Sequence, residues 1–189
     1  RVRLYAAERG VSYESVVVER GSPPPELPSL NPLRRLPVWI TDDNKPIFGS
    51  NTIIDYLEAA DPDEPLIPAD PIARARCWMA DELARDGLLE PLIALDRDQS
   101  GKEPEAWDMV LYRRKNARVR ATLQVFEALL GGREWLVGDE LTIADLSIAL
   151  PLSIIERFGI ELEDTPAVAG LAKRLSERDS MRLARMRKA

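Results

Sequence analysis

Pro37 stands inside the short apolar run 36–40, and no other residue narrows the possible folds as much. The run reads as a strand, Asp42-Asp43-Asn44 as a polar turn and 45–48 as a second strand, which predicts an antiparallel hairpin. Proline has no N–H to give to a ladder, so a strand that carries it must start there, lie at an edge or turn. Between Leu36 and Val38 it is also a candidate for a cis bond. Such a bond turns the Leu36 backbone outward and leaves its N–H and C=O to pair with something other than the sheet. Beyond the hairpin, Ser50 precedes Ile53, Ile54 and Leu57 at helical spacing, and serine is a good N-cap. Residues 31–57 thus run from hairpin into helix, a unit that many folds contain.

Composition removes whole classes of function. The 189 residues suffice for one large domain or two small ones with a sizeable core. The 26 basic residues against 32 acidic give a net charge of −6, which argues against nucleic acid as a partner. Histidine is absent, which removes imidazole acid–base chemistry and the commonest zinc ligand, so no metal site is expected. Cys77 is the one cysteine, so no disulfide forms within the chain and a reducing compartment fits. No apolar run approaches the roughly 20 residues of a membrane span, and the first residues do not have a signal-peptide pattern. A cytoplasmic protein with no membrane partner is expected.

Taken in order, residues 2–9 have helical spacing, and Gly10-Val11 reads as a glycine C-cap. The valine-rich run 13–19 predicts a strand. Four prolines between 22 and 31 require irregular chain, and the prolines from Asp61 to Pro71 mark a linker. After it every strong pattern is helical. Residues 73–98 predict a helix that Pro91 kinks or breaks, followed by helices at 105–130 (closed by Gly131-Gly132), 141–157 and 166–177. Thr142 and Asp145 have the spacing of a capping box, within Gly138-Asp139-Glu140-Leu141-Thr142-Ile143-Ala144-Asp145. The tail is basic, with Arg182, Arg185, Arg187 and Lys188, and reads as a solvated helix end.

Together, Asn31-Pro32, Leu36-Pro37-Val38, Phe48-Gly49-Ser50-Asn51 and Tyr56-Leu57 resemble the glutathione-binding half of a glutathione S-transferase. The 138–145 motif resembles the start of the core helix in that family's C-terminal domain. The resemblance covers essentially the whole chain. It implies an α/β plus all-α architecture: a thioredoxin-like domain over residues 1–60, a linker at 61–70 and an all-helical domain over 71–189. It further implies an enzyme that conjugates or reduces small electrophiles with glutathione as co-substrate, of the detoxifying kind, and a homodimer. The alternative is a non-catalytic member of the fold, a binding or regulatory protein such as stringent starvation protein, which works through RNA polymerase.

By the same resemblance Leu36, Pro37, Gly49 and Ser50 form the glutathione site. The Leu36 backbone would pair with the cysteinyl part, and Ser50 at the helix start would meet the γ-glutamyl carboxylate. Read from its position alone, Ser50 is a helix cap and Leu36 a plain strand residue. Gly49 departs from the family, which usually carries Glu or Gln there, and its missing side chain implies weak glutathione binding or none. Arg34 and Arg35 read as a solvated pair, or one of them meets a glutathione carboxylate. Cys77 reads as a small core or interface residue. Trp78, Met79, Trp107 and Tyr112 read as core, with an apolar substrate pocket as the alternative. The family's first strand and its catalytic Ser, Cys or Tyr would precede Arg1, so a short N-terminal segment is expected upstream and the catalytic residue stays unassigned.

Overall fold

In a computed structural model, which describes residues 1–18 and 22–185, the chain divides into two compact units. The first comprises Arg1–Pro65 together with the stretch from Asp179, and the second Leu66–Arg178.

The first unit opens with α1 (Val2–Glu8), which buries Val2, Leu4, Tyr5 and Ala6. It closes at Gly10, whose φ of +63° lets Val11 N–H reach back to Ala6 O at 2.8 Å while Gly10 N–H meets Ala7 O. That is the glycine stop expected from Gly10-Val11. A single turn, α2 (Leu27–Leu30), leads to β1 (Val38–Ile40) and β2 (Pro46–Phe48), paired antiparallel with Val38 opposite Phe48 and Ile40 opposite Pro46. The polar turn between them closes through Asn44 N–H to Thr41 O at 2.8 Å, with Thr41 Oγ1 accepting from Lys45 N–H. Next, α3 (Ser50–Ala60) buries Ile53, Ile54 and Leu57. The last element, α9 (Asp179–Arg185), packs on α1, where Ser180 Oγ donates to the Glu8 carboxylate and Met181 is buried. Arg187 and Lys188 of the expected basic tail lie outside the described residues.

The strand expected at 13–19 is not formed over the described residues 13–18. Residues 13–18 join neither β1 nor β2, and Glu19 lies outside the described residues. Val16 is 81% exposed and Val17 is exposed as well. Valine favours strands because its branched side chain packs on a pleated, half-buried surface, and this segment has no such surface beneath it. Its one ring contact is Tyr13 against Trp39 of β1, with centroids 5.7 Å apart.

The second unit is helical throughout. Asp70 starts α4 (Pro71–Ala84) by accepting from Ala73 N–H at 2.7 Å, with Pro71 at the first helical position. The break expected at Pro91 is a π-turn (Arg85–Leu89) between α4 and α5 (Glu90–Gln99), where Glu90 N–H bonds Arg85 O. Proline cannot donate to the carbonyl four residues back, and widening the preceding turn lets the chain continue past the ring. Within that turn Gly87 lies so close to Thr122 that a Cβ there would come within 2.4 Å of Thr122 Oγ1. Residues Pro104–Ala106 form a 3-10 turn, and α6 (Met109–Leu130) starts only where Asp108 accepts from Val110 and Leu111 N–H.

The core helix α7 (Ile143–Leu152) is buried almost all round. It is shorter than the 141–157 expected: Pro151 weakens its last turn, and a separate 3-10 turn (Ile155–Phe158) follows. The capping box is formed, with Thr142 N–H and Oγ1 both donating to Asp145 Oδ2 at 2.9 and 3.1 Å. Asp145 Oδ1 takes Leu136 N–H at 2.9 Å, so one fully buried carboxylate ties the preceding loop to the helix start. Glu127 of α6 does the same for α8 (Pro166–Ser176), its two oxygens accepting Ala167 and Val168 N–H at 3.0 and 2.9 Å.

Candidate functional site

The loop before Pro37 is organised by Asn31, which is 2% exposed. Its Nδ2 donates to Arg35 O at 2.7 Å and its Oδ1 accepts Leu33 N–H at 2.9 Å, while Arg34 N–H bonds Asn31 O at 2.8 Å. Both ends of one amide are thus used to fold residues 31–35 back on themselves. Arg34 sits at φ +52°, a left-handed conformation uncommon for a long side chain. Arg34, Arg35 and Leu36 are all exposed, Leu36 at 54%. The Leu36–Pro37 bond is cis, Pro37 is half-buried, and the ladder begins only at Val38. Leu36 is therefore no part of the strand that its sequence suggests.

The start of α3 corrects the expectation for Ser50. Gly49 is the N-cap, at φ +89° and ψ 126°, and its carbonyl accepts Ile53 N–H at 3.0 Å. Without a Cβ, glycine takes this backbone freely, and the helix begins one residue before serine could cap it. Ser50 is the first helical residue and makes no capping bond. Its Oγ instead accepts from Arg1 Nη2 at 2.6 Å, and the same nitrogen donates to Asn51 Oδ1.

This arrangement has a clear chemical bias. With its oxygen accepting from a guanidinium, the Ser50 hydroxyl has its proton to offer to an outside acceptor. The first turn of an 11-residue helix, whose N-cap is a glycine without a side chain, adds the positive end of the helix dipole. A guanidinium, a hydroxyl proton and a helix N-terminus together favour a carboxylate. Arg1 was not among the residues singled out from the sequence. It lies 49 positions from Ser50, and no local spacing signals the pair.

The remaining candidates, all in the second unit, form no such group. Cys77 is fully buried, and burial pushes its thiol above the usual range despite a hydrogen bond with Thr142. Met79 is 65% exposed on the same helix, and Trp78 is half-buried. Trp107 Nε1 donates to Lys102 O at 3.4 Å, and Tyr112 Oη donates to Phe158 O at 3.0 Å. Among the described residues no cluster of three His, Cys, Asp or Glu could hold a metal ion, and no helix is long and apolar enough to cross a membrane.

Comparison with known proteins gives a consistent picture. Residues 1–60 match the family model for the glutathione S-transferase N-terminal domain, and residues 100–179 that for the C-terminal domain. A probable maleylacetoacetate isomerase of Caenorhabditis elegans is 33% identical over 181 residues, which span 94% of this chain and 83% of that protein. The stringent starvation protein A homolog of Pasteurella multocida is 27% identical over 182 residues, 95% of this chain and 81% of that protein. Among solved structures, a glutathione S-transferase from Methylobacillus flagellatus with GSH bound superposes with a TM-score of 0.85 at 25% identity, covering 97% of this chain and 91% of that one.

Proposed function

Because this chain belongs to the glutathione S-transferase family, we propose that it binds glutathione as co-substrate and uses the glutathione thiolate on small electrophiles. The supporting observation is the Arg1–Ser50 pair at the start of α3. In this reading the γ-glutamyl carboxylate takes the Ser50 proton and the helix N–H groups, and Arg1 holds Ser50 in that orientation. The backbone of Leu36, outside the ladder beside Pro37, meets the cysteinyl portion, and Gly49 lets the ligand approach the helix start closely. Exposed Arg34 or Arg35 meets the glycyl carboxylate. Glutathione supplies the nucleophilic sulfur. The residue that lowers the thiol pKa is not assigned to any position between 1 and 189.

In the same reading residues 1–60 form the glutathione-binding domain, 61–70 the linker and 71–189 the helical domain in sequence, whose last helix, α9, packs back on α1. Two chains associate through exposed apolar residues of α3 and α4, of which Tyr56 is 39% and Met79 65% exposed. Cys77, fully buried, is no part of that surface. Light scattering should report the mass of two chains.

A second reading, a non-catalytic binding protein, is favoured by one observation. Gly49 offers no side chain to the γ-glutamyl end, and the stringent starvation relatives keep it in view. Calorimetric titration with glutathione separates the two. Ser50→Ala and Arg1→Ala should each weaken binding by about tenfold or more, the equivalent of a charge-assisted hydrogen bond of roughly 1.5–3 kcal/mol. If the wild type gives no heat at millimolar ligand and Ser50→Ala changes only thermal stability, the binding-protein reading replaces the enzyme.

A further inference from the structure

We propose that the outward face of α6 docks an acidic amphipathic helix of a partner protein. This helix buries Val119, Leu123, Phe126 and Leu130 on its inner side. At 3.6 residues per turn, Val110, Ala121 and Val125 fall on the opposite side. All three are exposed, Val110 at 77% and Val125 at 46%. A surface helix ordinarily turns polar residues outward there. Arg113 and Arg118 stand to either side of this apolar line and Arg114 within it, and all three are exposed.

These cations have no acid of their own on the helix. Glu127 is the only carboxylate between 109 and 130, and α8 takes both its oxygens. Asp86 feels the charge of Arg118 but is already bonded to Arg85 at 2.8 Å. No pair along α6 therefore neutralises the row in the way that i, i+4 partners do on solvated helices.

Charge selects the occupant. A second copy docking symmetrically would set this face against itself, guanidinium against guanidinium. Duplex nucleic acid offers phosphates but nothing for the valines, and the chain's net charge of −6 repels a polyanion at range. An anionic bilayer calls for long or aromatic wedges, whereas the residues here are Val and Ala. A helix with an apolar stripe between two rows of carboxylates meets the valines with its stripe and the flanking Arg113 and Arg118 with its rows. The long stem of Arg114 lies along the stripe with its charged end toward a carboxylate. Ala121 permits close approach, the valines meet the stripe, and the arginines form forked bonds with the carboxylates.

The test uses a fluorescein-labelled synthetic helix with a leucine stripe flanked by glutamates, and its glutamine analogue, titrated against the full chain by anisotropy. The glutamate peptide should bind about tenfold tighter than the analogue, and added salt should erase the difference. Arg113→Gln/Arg118→Gln, with an unchanged melting curve, should abolish it. Equal binding of the two peptides, or full binding by the variant, overturns the proposal. So does a variant that loses affinity for duplex DNA or phosphatidylserine vesicles and not for the peptide.

Discussion

Gly49 and Arg34 occupy opposite ends of the same backbone argument. Gly49 sits at φ +89°, where a side chain is strained whatever space surrounds it, although a Cβ would meet only Thr52 Oγ1 at 3.4 Å. Restoring the family's acidic residue therefore has two effects of opposite sign. Gly49→Glu should lower stability by about 1–3 kcal/mol, read by urea denaturation, because a non-glycine residue is forced into that region. In the folded fraction the added carboxylate should tighten glutathione binding through the ligand's ammonium group, read by calorimetry. Arg34 already bears such a strain, at φ +52°. Arg34→Gly should raise the denaturation midpoint, a stability gain of up to about 1 kcal/mol once the entropy that glycine adds to the unfolded chain is subtracted. If the variant also weakens glutathione binding, the arginine was kept there for the ligand's sake.

At the scale of elements, two contacts fix the helical unit. Gly87 brings the π-turn against Thr122, whose own Oγ1 donates to Arg118 O at 2.9 Å. Gly87→Ala must push α6 away or twist Thr122 off that bond, and should cost about 1–3 kcal/mol of thermal stability. Thr122→Ser in the same chain removes a methyl from the clash and should recover part of it. Glu127 caps α8 from a neighbouring helix. Glu127→Gln keeps one acceptor and presents an amide donor to the second N–H, so it should cost about 1–2 kcal/mol, seen as a lower melting temperature.

What was legible in the sequence follows the range of each interaction. The hairpin, the Gly10 stop, the break near Pro91 and the Thr142–Asp145 box depend on residues a few positions apart, and local chemistry announces them. The motifs that resemble a thioredoxin-like domain followed by a helical one were likewise local. Over the described residues 13–18 the expected strand is not formed, because propensity says nothing about whether a neighbour lies alongside. Ser50 was misplaced by one position because serine caps are common, while the freedom of the glycine before it decided the matter. The Arg1–Ser50 and Glu127–α8 contacts span 49 and about 40 residues, and no periodic pattern encodes them.

At the scale of the molecule, Cys77 reports on the integrity of the helical core. Burial raises its thiol pKa in the folded state, so the unfolded chain loses that proton first as pH rises. Its contribution to stability is fully present below the ordinary thiol value of about 8.5 and is lost as pH climbs through the folded value. Thiol reagents should leave Cys77 untouched in the native protein at pH 8 and modify it promptly in urea. Cys77→Ala should flatten the alkaline limb of the stability curve. Rapid modification of the native protein would show that α4 opens locally.

The first unit is assembled from stretches far apart in the chain: α9 lies on α1, joined by Ser180 and Glu8 at a separation of 172 residues. A ribosome releases α1 early and α9 only after the whole helical unit has emerged. The N-terminal unit must then wait, with the face of α1 that α9 covers uncovered, while the unit encoded after it already has every segment it needs. Domains made from one continuous stretch usually fold in the order of their synthesis. Here that order is reversed for completion, and a chaperone that shields α1 during translation would find its substrate in this interval.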